Sequence, residues 1–294
     1  MMILVITDSW DYTSDLVIRS LHSESFRLNT DMIIDYKIDI SPNGFKLTNP
    51  ADRSVHSSEV KGLYWRKPFT DPRFKKDSTE KFFFSEAAYA VRELCNICRI
   101  NGANFLVEPG AERRLGKPSQ LILAAKHFSI LEWNVTLNCT SNVSGTTVAK
   151  SLSSEQLNNS KVLYTTIVDK YSLDTSQLWY TQKFLDADSD VTVVYVDGEM
   201  FGYRLRRTKS VVDWREKIGD PRYLSWDPFN LEDSTKSAIV YFMNDCRLRF
   251  GRIEFLEKDG NLYFLEVNPN GQWAWLDSDQ KHGLVARVCQ AIEG

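Results

Sequence analysis

The residues best placed to do chemistry lie near the carboxyl end. There the chain reads Gly251-Arg252-Ile253-Glu254-Phe255-Leu256, then Tyr263-Phe264-Leu265-Glu266-Val267-Asn268-Pro269-Asn270-Gly271. Two β-prone runs flanking Asp259-Gly260 predict a hairpin. Glu266 and Asn268 are two apart in a strand, so their side chains leave one face about 7 Å apart and can reach one ion. Glu254, on the partner strand, joins them only if the loop has the right parity. A two-residue turn pairing Lys258 with Asn261 turns Glu254 away from Glu266. A three-residue loop, Asp259-Gly260-Asn261, sets the two carboxylates face to face, and this loop is the expectation. Two carboxylates and an amide oxygen then make a hard-oxygen site suited to a magnesium ion that phosphate oxygens also hold. The polar face of an ordinary half-buried hairpin shows the same alternation. What favours a site is the run Asn268-Pro269-Asn270-Gly271, a costly way to end a strand, followed by Trp273 and Trp275, both expected to be exposed.

The elements that must position these residues follow from patterning. Met2 to Thr7 is a continuous apolar run, which reads as a strand buried on both faces of an α/β sheet, with a helix after it. Met32–Ile40 and Val60–Trp65 are further strand candidates. Phe83, Ala87, Ala90, Leu94 and Ile97 recur at helical spacing, predicting a helix over 78–99 that Asn101-Gly102 stops. A boundary is expected after Glu108-Pro109-Gly110. A short helix over 117–127 and strands over 135–140, 147–150, 163–168, 178–184, 191–196 and 200–205 follow, the last two joined by the hairpin signal Asp197-Gly198. Residues 151–160, rich in Ser, Asn and Glu, read as a loop. A helix over 234–250 and another from about Lys281 complete the pattern. The expected architecture is mixed α/β in three units: an amino-terminal α/β domain over 1–110, a small central unit over 111–185, and a carboxyl-terminal unit with an antiparallel sheet over 186–294.

Composition excludes several classes. The 36 basic and 39 acidic side chains nearly cancel, so no overall field recommends nucleic acid or an anionic membrane as a partner. The amino terminus lacks a basic region ahead of its short apolar run, and no stretch approaches a membrane span, so a cytoplasmic protein is expected. Five cysteines, odd in number and irregularly spaced, argue against a disulfide framework, and Cys95 and Cys98 read as core thiols. Neither a Ser-His nor a Cys-His arrangement suggests a protein nucleophile.

The string from Phe264 to Trp273, Phe-Leu-Glu-Val-Asn-Pro-Asn-Gly-Gln-Trp, resembles the signature of the ATP-grasp macrocyclases that make microviridin-type peptides, the graspetides. Asp213-Trp214-Arg215 resembles that family's Asp-Trp-Arg, Tyr64 to Pro68 its Trp-Arg element, and Lys117 to Leu123 its first-lysine helix. More distantly the pattern is similar to the ribosomal-protein glutamate ligases. The resemblance implies an ATP-grasp fold, with ATP and Mg2+ as cofactors. It assigns Lys117 and Lys150 to the nucleotide phosphates, Gln182, Lys183, Phe184 and Leu185 to the adenine hinge, Asp190 to ribose, Arg215 to the transferred phosphate or acyl group, and Glu254, Glu266 and Asn268 to magnesium. Fixed positive charge is what a polyphosphate in a closed site requires.

The family commonly carries Asp-x-Arg where this chain has Asp190-Val191-Thr192, and Arg204, Arg206 and Arg207 are the candidates to replace the missing arginine. The loop over 151–160 also contains no glycine. The implied reaction passes the ATP γ-phosphoryl group to a carboxylate, whose acyl phosphate a hydroxyl or amine then attacks. The resemblance makes the carboxylate an Asp or Glu, and the nucleophile a Ser, Thr or Lys, of one precursor peptide recognised through leader and core. A homodimer stays open. So do a ligase that adds amino acids to a protein tail or small molecule, and a nucleotide-binding regulator without ligase activity, the latter motivated by Thr192.

Overall fold

The structure, a computed structural model, describes residues 1–69, 78–153, 164–207, 212, 213, 215 and 225–294. Its amino-terminal sheet is parallel, in the order β2-β1-β6-β7: β1 (Met2–Thr7), β2 (Glu24–Asn29), β6 (Val60–Trp65) and β7 (Asn104–Phe105). Ile3 to Ile6 are fully buried, as an apolar strand covered on both faces must be. Between them the chain forms α1 (Tyr12–Ser20), capped by the Asp11 carboxylate accepting from Ser14 N at 3.0 Å, and a small antiparallel sheet, β3 (Lys37–Ser41), β4 (Gly44–Thr48) and β5 (Ser54–His56). The expected strand over 32–40 therefore starts only at Lys37, because Thr30–Asp35 is a 3-10 helix. Then α2 (Ser78–Ile100) ends where Gly102 takes φ +78° and Ala103 N donates to Cys98 O. Cys95 and Cys98 are buried free thiols, as expected.

The central sheet is antiparallel, in the order β11-β10-β12-β9, from β9 (Trp133–Thr136), β10 (Thr147–Lys150), β11 (Thr166–Val168) and β12 (Trp179–Lys183). The loop expected over 151–160 lies outside the described residues beyond Ser153. The largest sheet runs β15-β14-β13-β16-β17-β8, from β8 (Ser129–Ile130), β13 (Ser189–Val196), β14 (Glu199–Arg206), β15 (Asp227–Pro228), β16 (Phe250–Lys258) and β17 (Asn261–Asn268). One face packs on α4 (Lys117–Ala124) and α5 (Asp233–Asp245), the short α3 (Ala111–Arg114) preceding α4. Phe128, Phe242, Phe255 and Phe264 interlock there, with ring centroids 5.0 to 5.9 Å apart. The helix expected over 234–250 stops at Asp245, since Arg247 takes φ +54° and Leu248 N donates to Met243 O, freeing Phe250 to begin β16.

The last helix, α6 (Leu284–Glu293), begins later than expected, where the buried Asp277 carboxylate accepts from His282 N and Leu284 N. It returns to the amino-terminal sheet, and its final carbonyls, Ala291 O and Ile292 O, receive Asn104 Nδ2 at 2.8 and 2.9 Å. A Cβ on Gly62 would stand 2.6 Å from Ile292 O, so only glycine lets strand and helix end approach this closely. Among the described residues no helix is long and apolar enough to cross a membrane.

Candidate active site

The hairpin reverses through a two-residue turn, Asp259-Gly260, both at positive φ (+49° and +76°), with Lys258 paired to Asn261. This is not the three-residue loop expected, and by itself it would turn Glu254 away from Glu266. A β-bulge restores the parity: Phe255 pairs with Phe264 but Glu254 pairs with Glu266, leaving Leu265 as the extra residue. Leu265 and Glu266 consequently leave the same face, while Phe264 and Val267 on either side of them are buried in the aromatic core. The two glutamates thus stand directly opposite one another in a cleft between the central and largest sheets.

Each glutamate has its own supports. Glu254 Oε1 accepts from Thr192 Oγ1 at 3.1 Å and lies 2.5 Å from Arg252 Nε; burial pushes its pKa up against the pull of Arg252. Thr192, on β13 opposite Glu254, occupies the position where arginine was expected, and its hydroxyl orients a carboxylate. Glu266 Oε2 is 3.4 Å from Lys117 Nζ. Burial would raise its pKa, but Lys117, Lys150 and Arg215 together hold it below the usual range. Lys117, the first residue of α4, also donates to Ser151 O at 2.8 Å. Lys150 ends β10 and donates to Gln182 Oε1 on the neighbouring strand at 2.6 Å. Arg215 is paired with Asp213 through two hydrogen bonds of 2.8 and 2.5 Å. Trp214 lies outside the described residues.

The other end of the cleft is apolar. Leu131, Val148, Leu185, Leu256 and Leu265 line it with Tyr180 and Phe184, an apolar slot. Lys183 N and Phe184 N donate to Glu132 O and Thr146 O, which fixes the link from β12 toward β13. Asp190 faces the cleft but is held by Arg207 in a bidentate pair of 2.7 Å bonds, so of the three arginines considered after β13 it is Arg207 that enters the site. Arg204 is turned to Glu257.

Asn268 departs most from expectation. It follows Glu266 by two residues on β17, but it does not line the cleft, and its Oδ1 accepts from Asn270 N at 3.0 Å in the turn that ends the strand. That turn explains the Asn-Pro-Asn-Gly run. Arg66 Nη1 donates to Asn270 O at 2.6 Å and Oδ1 at 2.8 Å, and a Cβ on Gly271 would stand 2.8 Å from Arg252 Cβ. Trp273, expected at the surface, is 1% exposed.

Neither a family model nor a curated protein matches the chain. Solved structures do. A RiPP-associated ATP-grasp ligase of Chryseobacterium gregarium, in complex with ADP and a leader and core peptide, superposes with TM-score 0.83 at 19% identity over 99% of this chain and 96% of that one. The macrocyclase MdnC of Microcystis aeruginosa MRC, bound with precursor peptide MdnA, gives TM-score 0.83 at 20% identity over 99% of each. The macrocyclase MdnB from the same source gives 0.70 at 19% identity over 100% and 99%. The chain has the ATP-grasp fold. Of the residues singled out from the sequence, Glu254, Glu266, Lys117, Lys150 and Arg215 line one cleft, where Arg252 and the pairing of Asp190 with Arg207 were not anticipated, nor was Gln120 behind it. Gln120 carried a signal, an amide on the apolar face of a short helix. Its Nε2 donates to Val267 O and its Oε1 accepts from Val267 N, both at 2.9 Å.

Proposed function

We propose that this chain is an ATP-dependent ligase that activates a carboxylate as an acyl phosphate and joins it to a hydroxyl or amine, and that its substrate is a precursor peptide in which it installs side-chain crosslinks. The observation that carries the reading is the pair Glu254 and Glu266, face to face in a cleft with Lys117, Lys150 and Arg215 gathered around Glu266. Two half-buried carboxylates beside three cations suit a divalent ion shared with a triphosphate better than they suit each other. The donor set fits magnesium: Glu254 and Glu266 would hold the ion, and Asn268, two residues on along β17, would complete the set only by turning its Oδ1 from Asn270 N toward the cleft. The ion's part is to offset charge on the phosphate oxygens. Lys117 and Lys150 would bind those oxygens, the apolar slot would take adenine against Phe184 and Leu185, with Gln182 and Lys183 beneath, and Asp190 would meet the ribose. Arg215, tethered by Asp213, offers a planar donor to the group in transfer. Catalysis is then positioning and electrostatics, with no protein nucleophile.

Support for the peptide comes from the neighbours, whose structures hold leader and core peptides with ADP, or a minimal precursor with Mg and ADP. The fold divides, in this reading, into units over 1–110, 111–185 and 186–294. The regulator alternative loses its motive once Thr192 has a task at Glu254. The test is mass spectrometry of an acidic, Thr- and Lys-containing precursor incubated with chain, ATP and Mg2+. Loss of one water per bond is expected, and a gain of residue mass would point instead to a tail-extending ligase. Glu266→Ala should abolish ADP release while leaving the circular dichroism spectrum unchanged.

A further inference from the structure

The cations of the cleft fall into two groups. Lys117 contacts Glu266, with Lys150 and Arg215 also acting on that carboxylate, whereas Arg252 is paired with Glu254. A reaction between a phosphate and a carboxylate brings two anions together, and each needs its own positive partner.

A second cation lies on the Arg252 side. Lys67 follows β6 and precedes Pro68, yet it takes φ +43°, a conformation a non-glycine residue before proline adopts only when its surroundings impose it. They do so from both sides. Arg66, 1% exposed, donates to Asn270 and Gln272, and Phe69 N donates to Thr30 Oγ1 at 2.8 Å and Asp8 Oδ1 at 3.2 Å. The backbone is thus held in the left-handed region at Lys67 and again at Phe69 (φ +61°), with Arg66 anchored just before Lys67 and Phe69 anchored two residues after it. Lys67 is half-buried, and the charges acting on it are Arg66, Arg252 and Asp11. Asp11 is already engaged by Thr7, Ser14 and Arg66. Among the described residues the Lys67 ammonium has no hydrogen-bond or ion-pair partner. A cation brought out of water beside two arginines, without an acid to meet it, is arranged for an anion that arrives from outside.

The place agrees with the fold. In the sheet order β2-β1-β6-β7 the chain runs outward to one side from β1 and to the other from β6, so the crevice beyond the carboxyl ends of β1 and β6 is where an open parallel sheet takes ligands. Lys67 stands just past the end of β6. Gln272 ties that crevice to the ATP-grasp cleft, since its side chain accepts from Arg66 and its carbonyl from Arg252 at 2.7 Å.

We propose that Lys67 and Arg252 form the subsite for the substrate carboxylate, an aspartate or glutamate side chain of an acidic peptide, and so hold it on the Glu254 side of the cleft. The inference rests on the ligase reading above. Two acetylated, amidated and fluorescently labelled peptides test it, one repeating Thr-Asp-Glu and the other Thr-Asn-Gln, titrated by anisotropy at fixed salt. The full chain should bind the acidic peptide about tenfold tighter, as a charge-assisted bond gained or lost implies. Lys67→Met should erase most of that preference and Lys67→Arg retain it, with ADP affinity by calorimetry unchanged in both, which also reports the fold. Equal preference in Lys67→Met and the full chain, or no preference in the full chain, overturns the subsite. Absence of ADP binding to the full chain, with a Lys67-dependent acidic preference intact, would remove the ligase reading and leave the carboxylate subsite standing.

Discussion

Lys150 carries its charge where the cleft tolerates it least. Burial pushes its ammonium down to about 8, Glu266 resists, and Lys117 and Arg215 add to the push. A bound phosphate would reverse the shift by supplying the missing anion. Below about pH 8 the lysine is already charged and nucleotide binding moves no proton. Above it the free protein has lost the proton and binding must draw one back, so ADP affinity should fall as pH rises from about 8 toward the ordinary lysine value, by up to about tenfold per unit. Calorimetry near pH 9 in two buffers of different ionisation enthalpy should show uptake of roughly one proton by the native chain and none by Lys150→Met. No uptake by the native chain would remove Lys150 from the phosphate site.

At the scale of elements, the site depends on the path of β17. On its outer side β8 pairs with only Tyr263 and Phe264, and beyond them Gln120 of α4 continues the ladder by bonding both backbone groups of Val267. The same helix carries Lys117 at its first turn, so one side chain sets helix and strand in register and with them Lys117 against Glu266. Gln120→Leu would strand two buried backbone groups, and should cost about 1–3 kcal/mol in urea unfolding as well as lowering turnover. An unchanged midpoint would mean the backbone finds other partners.

Much of this level was readable in advance, because its signals are local. The Asp197-Gly198 hairpin and strand 147–150 follow from turn residues and patterning, and so does the short helix expected over 117–127, which ends at Ala124. The bulge at Leu265 did not, since an extra residue placing two neighbours on one face leaves no mark in a run that is apolar on both sides of the interruption. The glutamates faced one another as expected, but through a different device. Asn268 lay beyond reach for a related reason. Its side chain answers to Asn270 and, through it, to Arg66, some two hundred positions away.

Across the whole molecule, the amino-terminal sheet is joined to the rest from two directions. The end of α6 docks against β6 at Gly62, and Arg66 grips the turn that follows β17. Both contacts are long-range, so composition and periodicity said nothing of them. Gly62→Ala should lower stability by about 1–3 kcal/mol through a clash with Ile292 O, read as a fall in the thermal midpoint. A midpoint that does not move would show that α6 can shift without cost.

The most direct test of the account is the magnesium dependence of ADP binding to the native chain and to Glu266→Gln. The account predicts that Mg2+ tightens binding at least about tenfold in the native chain and has little effect in the variant, which keeps its lysines and its slot. Equal enhancement by Mg2+ in both proteins, or no ADP binding by the native chain, would contradict it.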